Sequence, residues 1–262
     1  MSRSGYYEWL KGRESKRAKE DAELSAEIRQ IHKEHRGRYG SPRVHRELRE
    51  RARRISRKRV ARLMREAGLR GRVRRRFRRT TDSRHRHPIA PNRLERDFRT
   101  SQPDEAWVGD IRYVPTRDGW LYLAVLLDLF SRRVVGWAMS DRIDTELALS
   151  ALNKAVVERQ PSPGTIHHTD RDCRYASELY QARLQKFGMI PSMSRKGDCW
   201  DNAVAESFFA TLEKELLADD VLKRRADTRA EISDYIENYY NVRRMHSYLD
   251  YATPVAYELA AA

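Results

Sequence analysis

A chain of 262 residues with 53 Lys/Arg against 38 Asp/Glu carries a net charge of +15 and a pI near 10.0, which points to a polyanionic partner. Its only two cysteines, Cys173 and Cys199, stand outside any C-x-x-C spacing, so a disulfide scaffold is excluded and a reducing interior suits them. No run approaches the roughly 20 apolar residues of a membrane helix, and the opening MSRSGYYEWLKGRESKR has no signal-peptide core, so the expected location is cytoplasmic.

The charge is uneven. Residues 1–105 carry 33 Lys/Arg against 15 Asp/Glu, a net of +18, and residues 106–262 carry 20 against 23, a net of −3. A basic module therefore precedes a near-neutral core. Within residues 21–35, Leu24, Ile28 and Ile31 recur at helical spacing. The segment 37–42 breaks that helix, and Ser41-Pro42 reads as an N-cap followed by a first helical proline. Val44 and Leu48 give the second helix an apolar face. Ser56 caps a third, with Val60, Leu63 and Met64 inward, Arg57, Lys58, Arg59, Arg62 and Arg65 outward, and Gly68 at its end. Residues 1–69 thus fit a small all-α helix-turn-helix domain or a helical bundle with a solvated basic face; the density of arginine favours DNA.

Residues 70–105 read as a basic linker. Arg74, Arg75, Arg76, Arg78 and Arg79 are its candidate phosphate contacts, each releasing counterions on binding, although such a run can also serve solubility alone.

From residue 106 the pattern changes to strands. Trp107 to Val114 is the first, Asp118-Gly119 a turn, Trp120 to Leu129 a second and Arg132 to Met139 a third, together an antiparallel meander. A helix over Thr145 to Arg159 follows, then a short strand Thr165 to Thr169 running into Asp170. A helix Ser177 to Phe187, a strand Ile190 to Met193, a helix over 201–217 and a last helix over about 227–242 complete the chain. The expected fold is α/β, βββαβαβα, with a core over residues 106–220 and a C-terminal helix and tail over 221–262.

An isolated carboxylate on a buried strand is costly, and Asp110 lies on one, flanked by Trp107, Val108, Ile111 and Val114. Asp170 sits at the end of the fourth strand, where ligands gather in open α/β sheets. If the first and fourth strands are neighbours, the two acids meet, and Glu206 on the 201–217 helix can complete the set. Three carboxylates repel one another and call for hard cations, Mg²⁺ or Mn²⁺. Two such ions per site, roughly 4 Å apart, suit in-line displacement at phosphate. A basic arm that holds nucleic acid agrees with that chemistry.

WVGDIRYV, HHTDRDCRY and DNAVAESFF, with 35 residues between Asp170 and Glu206, resemble the three acidic motifs of DDE transposases. More closely, they resemble the OrfB product of the IS-three family of bacterial insertion sequences. The N-terminal GYYEWL…RYGSPRVHREL and C-terminal YYNVRRMHSYLDYATPVAY match that family as well, so the resemblance spans nearly the whole chain. It implies an RNase H-like, retroviral-integrase-like core with Asp110, Asp170 and Glu206 as catalytic metal ligands. It also implies hydrolysis at element ends, followed by strand transfer from the freed 3′-OH without a covalent protein–DNA bond. Implied partners are the terminal inverted repeats, target DNA, further copies of the chain and the product of an upstream reading frame. The chain departs from the family pattern at Asp172 (commonly Gly), Glu213 (commonly Lys or Arg) and Asp250 (often Gly).

Other residues carry open alternatives. His167 or His168 faces the metals or DNA, or else pairs within the fold. Asp128 reads as a turn or structural acid, with a role near the site as the alternative. Asp201 and Asn202 read as caps of the Glu206 helix, with Asn202 also a candidate DNA contact. Trp200 packs in the core or stacks on a base. Arg195, Lys196 and Lys214 are candidate phosphate contacts. Two competing functions stand beside a transposase: a catalytically impaired DNA-binding accessory or repressor, and a plain nuclease of the same fold.

Overall fold

The computed structural model describes residues 3, 7, 15–72, 87–195, 199–217 and 222–261, with Cys199 and Trp200 by backbone alone. The chain divides into two units, residues 1–73 and 74–262.

The first unit follows its apolar periodicity. Helix α1 spans Lys16–Glu34, α2 Ser41–Glu50 and α3 Arg57–Glu66. Ile28, Ile31, Val44, Leu48, Val60 and Leu63 are the buried side chains that join them. Ser15 caps α1 by accepting from Ala18 N at 3.1 Å, and Ser56 caps α3 by accepting from Arg59 N at 3.3 Å. At α2 the cap moves one residue from the expectation: Gly40 holds the N-cap position and Ser41 is already helical. His35 stacks on Tyr39 at 3.6 Å between ring centroids and bonds Glu47 at 2.7 Å, which closes the α1–α2 corner.

The second unit is built on five strands: β1 Ala106–Thr116, β2 Gly119–Asp128, β3 Val134–Ser140, β4 Ile166–Thr169 and β5 Ile190–Met193. They lie in the order β3-β2-β1-β4-β5. The β1–β2 and β2–β3 pairs are antiparallel, while β1–β4 and β4–β5 are parallel, so the meander and the crossover strands share one mixed sheet. Helices α4 (Thr145–Arg159), α5 (Cys173–Ala176) and α6 (Glu178–Lys186) supply the core on one face with Leu147, Leu152, Tyr175 and Tyr180 packed against Trp107 and Leu126. The close approach of α4 needs a residue without a side chain: a Cβ on Gly136 of β3 would stand 2.4 Å from Ala151 O and 2.6 Å from Ala155 Cβ. Helix α7 (Ala203–Glu215) packs across β1 and β2, burying Ala205, Phe208, Phe209 and Leu212.

Three expectations change. The helix read over 177–187 is present as α6, but a short helix that the sequence did not suggest, α5, comes just before it; Ser177 ends α5 and caps α6 by accepting from Tyr180 N at 3.4 Å. The last helix becomes α8 (Arg225–Asp234) followed by a π-helical turn, Tyr235–Tyr240, and the supposed tail contains a further helix, α9 (Pro254–Ala261). Residues 90–105 are not a free linker. Leu94 is buried, Ala90 packs on the core, Arg93 N donates to Ser192 Oγ at 2.9 Å, and Asp104 forms an ion pair with Arg159 at 2.7 Å. Arginine density masked the apolar and acidic anchors of that stretch. Among the described residues no helix is long and apolar enough to cross a membrane.

Candidate active site

The parallel β1–β4 pairing sets Gly109 opposite Thr169, so Asp110, still within β1, stands beside Asp170, the first residue after β4. Both line one cleft together with Tyr113, Asp172 and Arg174. Asp110 Oδ1 accepts from Ile111 N at 2.8 Å, and Asp170 Oδ1 accepts from Asp172 N at 3.1 Å. Burial raises the Asp110 carboxyl well above the ordinary carboxylate value, and the charges of Asp170 and Glu206 raise it further. Glu206 therefore acts on Asp110 electrostatically, but its side chain is exposed rather than turned inward. It occupies the flank of α7, next to the buried stripe of Ala205, Phe208, Phe209 and Leu212.

The donor chemistry fits a hard divalent cation: carboxylate oxygens, a shared cleft and like charges whose repulsion a cation relieves. Among the described residues no three His, Cys, Asp or Glu side chains already converge closely enough to hold an ion. Asp110 and Asp170 are the pair that the sheet brings together, and Glu206 acts on Asp110 from the helix through its charge.

Asp172 is not an idle fourth acid. It is 5% exposed, caps α5 by accepting from Arg174 N at 3.1 Å, and forms an ion pair with the Arg174 guanidinium. Glu213, two turns past Glu206, likewise has a partner: it accepts from Arg112 Nε at 3.1 Å. Arg112 lies two residues after Asp110, on the same face of β1, and also sits over the Phe209 ring at 5.6 Å. The position where the family commonly has a cation is thus half of an ion pair with a strand arginine.

Both histidines before Asp170 belong to the interior. His167 Nε2 bonds Tyr180 Oη at 2.7 Å, and His168 bonds Ser192 Oγ at 2.8 Å and Ser194 Oγ at 3.2 Å. Burial lowers His167 to about 3 and His168 to about 4, so both are neutral near pH 7. Asp128 is structural, accepting from Asp104 N at 3.0 Å and from Ser131 N at 3.0 Å.

Asp201 and Asn202 depart from the capping expectation. Asp201 is a buried hub: it accepts from Arg195 N at 2.8 Å, from Asn92 Nδ2 at 3.0 Å and from Arg96 Nε at 3.1 Å. The hydrogen bonds from Arg195 hold its carboxyl well below the usual range. Asn202 holds the N-cap position of α7 without a side-chain cap. It is 5% exposed and donates to Gly109 O at 3.3 Å, which ties the helix to the residue before Asp110 and removes it as a DNA contact.

The candidate DNA contacts separate. Arg57 and Lys58 are exposed on α3. Arg59 and Arg62 turn toward α1, bonding Asp21 at 2.7 and 2.6 Å, so they do not simply face outward. Arg195 is half-exposed and folded onto Asp201, and Lys214 is half-buried on α7. Arg74, Arg75, Arg76, Arg78, Arg79 and Lys196 lie outside the described residues, as does the side chain of Trp200. Sequence reasoning missed Arg112 and Tyr113. The i+2 position after Asp110 and the opposite charge at Glu213 were the available signals for Arg112.

Residues 100–199 and 188–254 match models described as the integrase core domain, and residues 19–77 match an HTH-like domain. The fold is similar to a chain of the simian T-cell lymphotropic virus intasome, solved in complex with PP2A regulatory subunit B56 gamma. That likeness has a TM-score of 0.51 at 18% identity and covers 68% of this chain and 61% of that one. Mixed sheet, acid cleft and preceding helical unit define the class, a DDE transposase built on an integrase catalytic core. In sequence, the chain is 41% identical over 257 residues to the "Insertion element IS600 uncharacterized 31 kDa protein" of Shigella sonnei, covering 98% of this chain and 94% of that protein. It is 39% identical over 260 residues to "Transposase InsF for insertion sequence IS3A" of Escherichia coli (strain K12), covering 98% and 90%. The chain belongs to the IS3 family of insertion-sequence transposases.

Proposed function

We propose that Asp110, Asp170 and Glu206 are the catalytic carboxylates of this transposase and hold two Mg²⁺ ions, with Mn²⁺ as a substitute. The β1–β4 register, which sets Asp110 beside Asp170, is the observation that carries the reading. When bound, such ions activate the attacking oxygen and stabilise the leaving one. The chain's own part is positional: the middle of β1 fixes Asp110, the end of β4 fixes Asp170, Asn202 and Arg112 fix α7, and α7 brings Glu206 to the cleft. Water first attacks the phosphodiester at an element end, forming a P–O bond as the 3′ oxygen leaves to become a 3′-OH. That hydroxyl then attacks a second phosphodiester and displaces a new 3′ end, so the number of phosphodiester bonds is conserved in the second step.

In this reading the helical unit engages the terminal inverted repeats through Arg57 and Lys58, and the arginines of residues 74–79 add sequence-independent attraction to phosphates. The chain works in the bacterial cytoplasm on double-stranded DNA, as a dimer or larger assembly because two ends must meet, and with the product of the upstream frame. The test is a Mg²⁺-dependent assay on labelled terminal-repeat DNA. Wild-type chain should yield cleaved and joined products, both absent in Asp170→Ala. Binding without cleavage by the wild type would sink the reading, and cleavage without joining would make the protein a nuclease.

A further inference from the structure

β1 and β2 are joined by a tight turn, Arg117-Asp118, that projects from the sheet and is held from outside. Arg117 N donates to Lys223 O at 2.7 Å, Arg225 N donates to Asp118 Oδ2 at 2.7 Å, and an Arg225 guanidinium nitrogen donates to Asp118 O at 2.7 Å. The tip is therefore fixed on both sides of its turn. Just past it stands Trp120, a large aromatic residue that is 52% exposed.

Trp120 is not an isolated surface aromatic. The pairings Tyr113↔Tyr122 and Pro115↔Trp120 set Tyr113, Tyr122 and Trp120 on one face of the sheet. Tyr113 meets Trp120 edge-on at 6.0 Å and Tyr122 edge-on at 5.0 Å between centroids. Tyr113 also lines the cleft that holds Asp110 and Asp170. An aromatic strip thus lies on the face of β1 opposite Asp110 and Arg112, meets the cleft at its Asp172 and Arg174 wall, and runs to an exposed ring at the hairpin tip. Arg117 and Arg224 flank that end, both exposed. Arg224 stands between the two residues that clamp the turn. Exposed aromatic faces beside cations, adjoining the wall of an acid cleft, match the chemistry of an unpaired nucleic-acid strand: bases offer π faces, and phosphates meet arginine. A fully paired duplex hides those faces.

We propose that the hairpin tip is a binding platform for a single-stranded DNA segment leaving the acid cleft. Trp120 stacks on an unpaired base, Tyr113, itself backed by Tyr122, braces its ring, and Arg117 and Arg224 meet the flanking phosphates. The proposal rests on the reading of Asp110 and Asp170 as the place where the strand is cut.

The full chain without metal is titrated against a fluorescent oligo(dT) of roughly 15 nucleotides and a blunt duplex of the same length, and read by anisotropy. Trp120→Ala should weaken oligo(dT) binding roughly tenfold and duplex binding far less, while Trp120→Phe keeps most of the affinity. Arg117→Ser should lower the slope of log affinity against log salt for oligo(dT) by about 0.7. Wild-type affinity in Trp120→Ala overturns the platform, as does an equal loss on both probes. So does a change in sedimentation with oligo(dT) binding intact, because a second copy of the chain would then be the occupant. Asp170→Ala separates the two readings: it should lose cleavage, while Trp120→Ala in its background should still weaken oligo(dT) binding roughly tenfold. Cleavage retained in Asp170→Ala would refute the acid reading and leave the platform result to stand or fall on Trp120.

Discussion

Asp128 shows how one buried carboxyl ties pH to stability. It is wholly buried at the end of β2, and that burial pushes its carboxyl up to about 6 against backbone and hydroxyl donors that work the other way. Ser131 Oγ stands 2.9 Å from Asp128 Oδ2 and 2.7 Å from Glu258 Oε1, yet has one proton to give. Protonated Asp128 donates to Ser131, which donates to Glu258, and the chain of bonds is complete. The folded state then binds this proton more tightly than the unfolded chain, whose carboxyl stays near 3.8. Stability from this group is fully present below that lower value and is lost as pH rises through about 6. Relative to Asp128→Asn, the wild-type chain should therefore gain about 1–1.5 kcal/mol on going from pH 7.5 to pH 5, measured by paired urea melts. A flat difference between those pH values would refute the assignment.

At the scale of elements, the relation of α7 to β1 decides where Glu206 stands. Like charges push the helix away from Asp110, while Arg112 and Glu213 pull it back further along the same strand and helix. Asn202 on Gly109 O fixes the helix start. Arg112→Gln and Glu213→Gln should each weaken this hold, and the double variant should show a coupling on the order of 1 kcal/mol in a denaturation cycle. The charge-swapped pair Arg112→Glu with Glu213→Arg should recover stability better than either single swap. Additive single effects would mean that the pair does not hold the helix. Glu213 looked, as a letter, like a lost DNA contact; beside Arg112 it is one half of an ion pair.

Across the second unit, the C-terminal segment is part of the catalytic core. Arg244 bonds both oxygens of Glu215 at 2.9–3.0 Å, Tyr235 Oη donates to Glu215 at 2.9 Å, and all three residues are buried. Asn241 makes two 3.0 Å bonds to the backbone of Val134, and Arg133 pairs with Glu258 at 2.7 Å. The end of the Glu206 helix is therefore anchored by the residues that follow it. Arg244→Met strands a buried carboxylate and should cost about 3–5 kcal/mol. Adding Glu215→Leu should restore a large part of that loss in thermal melts. An Arg244→Met chain as stable as wild type would show that the network is dispensable.

Much of the protein was legible in its letters, because local rules wrote it. Apolar spacing drew α1 to α3 and α4, alternating and apolar runs drew β1 to β3, and Ser56 announced the start of α3 through its own hydroxyl. The three acidic motifs, in order and flanked on both sides, marked Asp110, Asp170 and Glu206 as candidates before any strand was paired. Partnership is another matter, since it depends on residues far apart in sequence. Only the tertiary structure decided that Asp172 is spent on Arg174, that the two histidines are neutral core groups, that Arg59 and Arg62 turn to Asp21, and that residues 90–105 are docked. The physical reason is common to all of these. A charged or polar side chain reads the same whether it meets water, metal, phosphate or a buried partner, and its meaning is set by which element the fold brings opposite it.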